Sequence, residues 1–434
     1  MLSRRELVRA GTLGGLVVVA PGLFAGCGDP AADPPGASSA LRLVSSDLER
    51  EVANPAAIAA GTASVLALGA GLYGELLSTP GNLALSPHSA AVALGMTVNG
   101  AVGTTRDEML DVLAADDLAS LDDGLNALTA YVESLAGPVP YADGAEIALA
   151  TANQLFGQAG VAWKPALLDA LARSYGAGVR QVDYVCAAEA ARTVINRWTA
   201  EQTHDRIPEI LEPGVVDATT RLVLVNALYF KAPWSSPFEK TATSDDDFHL
   251  GDGSTVSVPT MHGEAGQGRG DGWRAAHLSY AGGTLVMTVV LPDAGREADL
   301  DALVAGGGLA PLLTPQPGEL ELSLPRWTFL VSAKLRDALK GLGMRTAFDE
   351  ERADFSAMTD REALVVDDVV QQVFMAVDEA GTEAAAATAV EMRATSAVLP
   401  TPEPLVVDRP FLFVIHDVEH GTPLFLGKVV DPRG

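Results

Sequence analysis

The sequence predicts an α+β fold, because helical patterns dominate the first half of the chain and strand patterns the second. Between residues 62 and 77 the apolar side chains recur at helical spacing, at Val65, Leu68, Leu72 and Leu76. After residue 220 the apolar runs are short, rich in β-branched and aromatic residues, and bounded by turn residues. No internal repeat is present, and 48% apolar residues in a chain of 434 are enough for a large core.

The individual elements follow from these patterns. Helices are predicted at 62–77, 86–98, 105–113, 122–135, 165–174 and 187–203. The second begins at a natural N-cap, Ser86, which is followed by a first-turn proline, Pro87. Strands are predicted at 145–156, 221–230, 284–291, 319–327, 365–377, 405–407, 411–416 and 422–429.

The net charge is −27, from 29 basic and 56 acidic residues. A nucleic-acid-binding protein needs a basic surface to neutralise phosphates, so the composition excludes a nucleic-acid partner. The charge suits a soluble protein that attracts cationic partners weakly.

The first 27 residues predict an export signal. Residues 3–7, SRREL, resemble a twin-arginine signal, and the apolar stretch 11–24 is short for a spanning helix. The following Ala25-Gly26-Cys27 is typical of a bacterial lipoprotein cleavage site, which predicts lipidation of Cys27. An uncleaved anchor or an ordinary secretory signal are the alternatives. We expect an exported lipoprotein held at a membrane, in the periplasm or on the cell surface, or released outside the cell.

The domain organisation follows. Residues 1–27 are the signal, 28–61 are a linker and N-terminal extension, and 62–434 are the folded domain. Residues 28–40 are rich in Pro, Gly, Ser and Asp, and have nothing to pack. After lipidation of Cys27, Cys186 would be the only remaining thiol, and we expect a partly buried structural cysteine there.

Several short motifs resemble catalytic or binding sites. His416 and His420 frame an HxxEH pattern, but a strand precedes it and Gly-Thr-Pro follows, which predicts a hairpin turn rather than a metal site. Ser86 and His88 lie at a helix start, where capping is the simpler role. The glycine-rich 266–272, GQGRGDG, lacks a strand–turn–helix context for phosphate and predicts a flexible loop. The aspartates at 245–247 and 367–368 are expected to be solvated. The sequence therefore predicts no catalytic constellation, no metal and no cofactor.

One stretch, residues 377–396, has two candidate conformations. Its small residues favour a helix by propensity, since Ala is the best helix former. They also alternate at period 2, so that Thr382, Ala384, Ala386, Thr388 and Val390 share one small, uncharged face. Such a segment can enter the middle of a sheet, with one face in the core and one in water. No proline blocks this before Pro400.

This stretch closely resembles the reactive-loop hinge of inhibitory serpins. The hinge residues are Glu379, Gly381, Thr382, Glu383, Ala384, Ala385, Ala386 and Ala387. Further serpin-like motifs occur in family order at 82–89 (NLALSPHS), 221–234 (RLVLVNALYFKAPW), 324–356 (LPRW, LGM, AF and ADFS) and 410–432 (PF and FLGKVVDP). The chain is thus identified as a member of the serpin family, which implies helices on a large mixed sheet, two further sheets and an exposed reactive-centre loop.

The resemblance implies a suicide-substrate inhibitor rather than an enzyme. A target protease cleaves the loop, and the hinge then inserts into the sheet while the protease is still attached. In the family the bond follows the seventeenth residue from the hinge Glu, which implies Thr395–Ser396 and an elastase-, chymotrypsin- or subtilisin-like target. Arg393–Ala394, which a trypsin-like enzyme would cut, is the alternative. The expected partner of the monomer is a serine protease, with a cysteine protease as a second option.

The resemblance also implies a sheet-opening region at Ser86, Asn226, Trp234 and Gln371. Many serpins carry His where this chain has Gln371, in a buried network with the counterparts of Asn226 and Ser86. Gln keeps a donor and an acceptor, but it does not titrate. Two other functions stay open: a noninhibitory serpin that binds or supports a partner, and an exported lipoprotein hydrolase.

Overall fold

The computed structural model describes residues 41–139, 144–361, 363–383 and 404–434, and Leu41–Gly434 form one compact unit. The helices are α1 (Ile58–Leu76), α2 (Pro87–Val98), α3 (Gly103–Val112), α4 (Leu118–Ser134), α5 (Pro165–Tyr175), α6 (Tyr184–Gln202), α7 (Glu297–Ala305), α8 (Ala310–Leu313) and α9 (Arg336–Gly341).

The strands are β1 (Arg42–Val44), β2 (Leu83–Leu85), β3 (Gly137–Pro138), β4 (Glu146–Gln158), β5 (Val179–Val182), β6 (Leu222–Pro233), β7 (Ser244–His249), β8 (Thr255–Gly270), β9 (Trp273–Ser279), β10 (Leu285–Pro292), β11 (Gln316–Pro325), β12 (Trp327–Lys334), β13 (Val369–Asp378), β14 (Gly381–Thr382), β15 (Leu405–Val406), β16 (Phe411–Asp417) and β17 (Pro423–Val429).

Two mixed sheets organise these strands in the described residues. Sheet A has the order β1-β5-β4-β6-β14-β13-β12, with β3 paired to β4. Sheet B has the order β15-β11-β8-β9-β10-β16-β17-β2, with β7 paired to β8. The resemblance implied two further sheets besides sheet A. Here the strands of both belong to one sheet, sheet B, because the 16-residue strand β8 connects them. The predicted α+β class is confirmed.

The central strand β6 separates two clusters of apolar side chains. Its even-numbered residues Leu224, Leu228 and Phe230 join the main core, which is filled mostly by the first helices and sheet B. The odd-numbered Val223 and Val225 join a second cluster under α6 and the segment that follows it. Both faces of sheet A are therefore buried at this strand.

One described helix, Pro55–Leu76, is long and apolar enough by composition to span a membrane, and 56% of its apolar window is buried in the fold. Its Gly61 lies against Gly124 of α4, where an added Cβ would be 2.3 Å from the Gly124 carbonyl oxygen. The two helices are thus in backbone contact, which only glycine permits. Packing against neighbouring helices accounts for the apolar character of α1.

Two local expectations are wrong. The glycine-rich 266–272 is not a flexible loop: Gly266–Gly270 end strand β8, and the turn leads into β9 with Gly270 paired to Trp273. Cys186 is not partly buried; it is exposed on the first turn of α6 and is disulfide-bonded. The chain's other cysteine, Cys27, lies outside the described residues.

Candidate functional site

The candidate site is a partly filled gap between strands β6 and β13 of sheet A. At one end the two strands pair directly and in parallel, from Val369 with Leu224 to Val373 with Leu228. At the other end β14 lies between them and is antiparallel to both. Within β14, Thr382 faces Ala232 on one side and Val377 on the other. The start of the hinge is therefore already a strand of the sheet.

Side-chain contacts hold the turn from β13 into β14 in place. The Trp234 indole Nε1 donates to the Asp378 carbonyl oxygen at 2.9 Å, and its ring stacks on Tyr280 with the centroids 4.5 Å apart. The Tyr280 and Thr382 hydroxyls are 2.6 Å apart in the core. Gly381 has a φ of +153°, which its lack of a Cβ allows. These contacts hold the first hinge residues inside the sheet.

Glu379 anchors the same turn by its charge. Only 4% exposed, it accepts a hydrogen bond from the Thr243 hydroxyl at 2.7 Å and lies 3.5 Å from Arg326 Nη1. Burial alone would raise the pKa of Glu379, but the Thr243 bond and the charges of Arg326 and Lys240 bring it below its usual value. Glu379 is thus a carboxylate at neutral pH.

A hydrogen-bonded network closes the gap where β6 and β13 still pair. Fully buried Gln371 accepts from the Ser86 backbone N–H at 2.9 Å and donates to the Ser86 carbonyl oxygen at 3.0 Å and to Asn226 Oδ1. The Asn226 amide donates to Ser89 Oγ at 2.7 Å and to Asn153 Oδ1 at 2.6 Å. The bond from Gln371 to Asn226 joins β13 to β6, so parting these strands would leave these two buried amides without that partner.

The network joins three of the four residues of the predicted sheet-opening region, and its chemistry differs in one detail. Ser86 contacts Gln371 through its backbone, because its hydroxyl accepts the N–H of Ser89 as the cap of α2. Trp234 lies apart from this network, at the top of the gap.

The other predicted site residues fall into two groups. Glu379, Gly381, Thr382 and Glu383 are described, and Glu383 is the last residue in register, with its N–H bound to the Ala376 carbonyl oxygen at 2.8 Å. The remaining ones, Ala384–Ala387, Arg393, Ala394, Thr395, Ser396 and the lipidation candidate Cys27, lie outside the described residues.

Sequence patterns did not single out several residues that the structure brings to this gap: Ser89, Asn153, Arg206, Thr243 and Tyr280. Ser89 lies within the serpin-like motif at 82–89 and could have been predicted from it. The others come from distant strands and a loop, and no local spacing marks them.

The motifs weighed for metal or nucleophilic chemistry have structural roles. His416 is buried in β16, and His420 packs against the Tyr131 ring in the hairpin turn, with centroids 4.6 Å apart. Within the described residues no group of three or more metal-ligating side chains occurs. His88 lies in α2 with its Nε2 3.3 Å from the Thr129 hydroxyl.

Buried histidines predict a loss of stability in acid. Burial lowers the pKa of His88 to about 4, assisted by the Arg50 charge and opposed by Asp417, and burial also lowers that of His277 to about 4. Between pH 6.5 and 4 the unfolded chain binds more protons at these two histidines than the folded chain does. The free energy of unfolding therefore decreases as the pH is lowered from 6.5 to 4, and above pH 6.5 the contribution of these histidines is constant. We expect urea midpoints to fall below pH 6.5.

The variant His88→Gln tests that origin. In this variant the urea midpoint should depend less steeply on pH below pH 6.5, because one of the groups that bind protons on unfolding has been removed. Between pH 7 and 9 its curve should run parallel to that of the wild type. Identical acid-side slopes in the two proteins would exclude His88 as a source.

Comparisons with known proteins agree with this geometry. The family model described as serpin (serine protease inhibitor) matches residues 63–432. An uncharacterised serpin-like protein of Thermococcus kodakarensis is 38% identical over 369 residues, which cover 83% of each chain. The leukocyte elastase inhibitor of Sus scrofa is 35% identical over 364 residues, 81% of this chain and 93% of that protein.

Solved structures share the fold. The thermophilic serpin Tengpin in its native state has a TM-score of 0.77 at 24% identity, covering 89% of this chain and 97% of that one. Serpin48 of Tenebrio molitor has a TM-score of 0.74 at 28% identity, covering 86% and 98%. The family expected from the hinge and its companion motifs is thereby confirmed: this chain belongs to the serpin family.

Proposed function

We propose that the protein is a monomeric suicide-substrate inhibitor of serine proteases of the elastase, chymotrypsin or subtilisin kind. The observation that carries the proposal is the position of β14, which already occupies the top of the gap between two strands that pair directly below it. A loop cleaved by a protease would extend β14 down this gap as the two strands part.

The strand registers support such an insertion. Continuing β14 antiparallel to both neighbours would place Ala384 between Phe230 and Met375, Ala386 between Leu228 and Val373, Thr388 between Asn226 and Gln371, and Val390 between Leu224 and Val369. The last three pairs are also the partners that face each other in the existing parallel ladder. Insertion would therefore part the strands by one strand spacing, about 4.8 Å, without sliding them along each other.

The side chains of the hinge suit this path. Ala384 and Ala386 would enter the main core between large apolar residues, where a small side chain is the one that fits. Thr388 would arrive between Asn226 and Gln371, where its hydroxyl can bond amides that parting of the strands leaves unpaired. The inserted strand would exchange one parallel ladder for two antiparallel ones, at roughly 1 kcal/mol per net hydrogen bond.

The length of the gap favours Thr395–Ser396 as the reactive bond. In the extended register Met392 falls opposite Leu222, where β6 begins. Cleavage after Arg393 would give an attached protease one residue beyond the sheet, and cleavage after Thr395 would give three. The difference of two residues is about 6–7 Å of tether at strand rise. We expect cleavage at Arg393 to give mainly substrate behaviour.

The test is to mix the exported domain with an elastase-like protease and, separately, with trypsin. Denaturing gels would show any covalent complex, and mass spectrometry would identify the released C-terminal peptide. A complex with a peptide that begins at Ser396 supports the proposal. Cleavage without a complex would point to a noninhibitory serpin, and a trypsin complex with a peptide that begins at Ala394 would move the reactive residue to Arg393.

Two variants sharpen this test. Thr395→Arg should shift complex formation from the elastase-like enzyme to trypsin, because the residue before the bond fills the protease's specificity pocket. Arg393→Ala should abolish trypsin cleavage at that site and leave the elastase complex intact. A cysteine protease such as papain is a further target to assay, and multiple turnovers of an ester or peptide substrate by the domain alone would favour a hydrolase.

We further propose that Cys27 carries a lipid that holds the exported protein at a membrane, with residues 28–40 as the spacer. Mass spectrometry of the N-terminal peptide of protein purified from membranes tests this proposal, and a mass that includes the lipid on Cys27 would support it. An unmodified Cys27 in a disulfide would contradict the lipid anchor.

A further inference from the structure

The last described residue of the hinge, Glu383, has strained backbone. Among the described residues other than glycine, four have positive φ: Ala114, His204, Asp205 and Glu383. Glu383, with φ +50°, is the last residue in the sheet register, and His204 and Asp205 form the turn after α6. Aspartate and histidine tolerate left-handed backbone, but it is unfavourable for glutamate, so this conformation of Glu383 persists only where surrounding contacts hold it.

The contact that holds Glu383 is an ion pair with Arg206, which follows the turn after α6. Arg206 Nε donates to Glu383 Oε1, and the Glu383 side chain is only 10% exposed. Its other oxygen, Oε2, is buried without a hydrogen-bond partner in the described part of the chain. Arg206 thus compensates the charge of the Glu383 carboxylate, and the Tyr229 hydroxyl also interacts with it.

Arg206 also lies over the next part of the gap. Its guanidinium is 5.5 Å from the ring centroid of Phe374 on β13, and the His204 ring is 4.9 Å from that of Tyr229 on β6. In the extended register Ala385 would enter between Phe374 and Tyr229. The turn therefore covers the level that the hinge would reach next.

We infer that Arg206 is a positioning residue that holds the hinge at Glu383 and sets how fast the rest of the loop enters the sheet. This inference rests on the proposed function and identifies a residue that regulates loop insertion. To advance, Glu383 must change from left-handed to extended backbone, the ion pair must open, and Arg206 must move off Phe374. The backbone strain favours the advance, whereas the ion pair opposes it.

A protease-independent assay measures this control. The probe is a synthetic peptide with the sequence of residues 384–395, AAAATAVEMRAT, whose entry into the gap should raise the temperature of unfolding. We expect the full domain with Arg206→Gln to take up the peptide about five- to tenfold faster than the wild type, as expected for loss of a partly exposed ion pair. Glu383→Gln should do the same, and added salt should accelerate uptake by the wild type.

Two controls separate this effect from a general loss of charge. Arg192→Gln removes an arginine of α6 that pairs with Glu189 and Glu209, away from the hinge, and should leave the uptake rate unchanged. Arg206→Glu combined with Glu383→Arg should return the rate towards that of the wild type. In the inhibition assay, Arg206→Gln should lower the number of inhibitor molecules consumed for each protease trapped.

The outcomes distinguish the two proposals. Suppose that the wild type takes up the peptide, and that Arg206→Gln changes the uptake rate no more than Arg192→Gln does. This result would overturn the role of Arg206. A wild-type domain that neither takes up the peptide nor traps a protease would overturn the proposed function, and the inference with it.

Discussion

Replacing Ala386 with arginine should convert the protein from an inhibitor into a substrate. The strand register would carry residue 386 between Leu228 and Val373, both buried in the main core. An unpaired charge in such a place costs several kcal/mol, so insertion would lose the race against hydrolysis of the acyl-enzyme. We expect the yield of covalent complex with an elastase-like protease to fall about 100-fold, while the loop is still cleaved.

The matched control is Thr401→Arg, which adds the same charge downstream of both candidate bonds, outside the segment that the proposed mechanism inserts. This variant should form complex as the wild type does. Urea midpoints of the uncleaved variants would establish that both fold. An Ala386→Arg protein that traps the protease as efficiently as the wild type would exclude the register derived from β14.

Replacing Gln371 with leucine should release the closed end of the gap. The leucine cannot make the three hydrogen bonds of the glutamine, and the Ser86 N–H and Asn226 Oδ1 would stay buried without this partner. The expected loss is about 2–3 kcal/mol of native stability. Since that network holds β6 and β13 together, uptake of the 384–395 peptide should also become faster.

Gln372→Leu is the control for this substitution. Gln372 is the next residue of the same strand and faces the opposite side of the sheet, where its amide donates to the Glu209 carbonyl oxygen and its Oε1 has no partner in the described residues. We expect a smaller loss of stability and no faster uptake. Gln371→His should restore most of the stability at neutral pH, because imidazole again offers a donor and an acceptor. Equal stability of Gln371→Leu and Gln372→Leu would contradict the role of the network.

Local patterns were sufficient for the elements that bury one face at a regular period. Helix α2 begins at Pro87 with Ser86 as its cap, as predicted, because capping depends on neighbouring residues only. The hinge was recognisable for the same reason, since its small residues are consecutive. Its conformation was not decided locally: alanine favours a helix, yet Gly381 and Thr382 form a strand because two strands offer them hydrogen bonds on both sides.

Elements whose stability comes from distant partners escaped prediction. The run 319–327 looked like a single strand, but the chain bends at Arg326, and β11 belongs to sheet B while β12 belongs to sheet A. The glycine-rich end of β8 has few side chains to mark a strand and is held by pairing with both β9 and β11. In each case the hydrogen-bonding edge comes from residues far along the chain.

The family, the α+β class and the composition of the hinge were all predictable from the sequence. The position of Gly381 and Thr382 in the sheet, the contacts that close the gap below them and the partner of Glu383 became evident from the three-dimensional structure. The reason is physical: Gln371 meets Ser86 across 285 residues of chain, and Arg206 meets Glu383 across 177. Contacts at such separations arise from the packing of whole sheets and loops, and no local period of side chains encodes them.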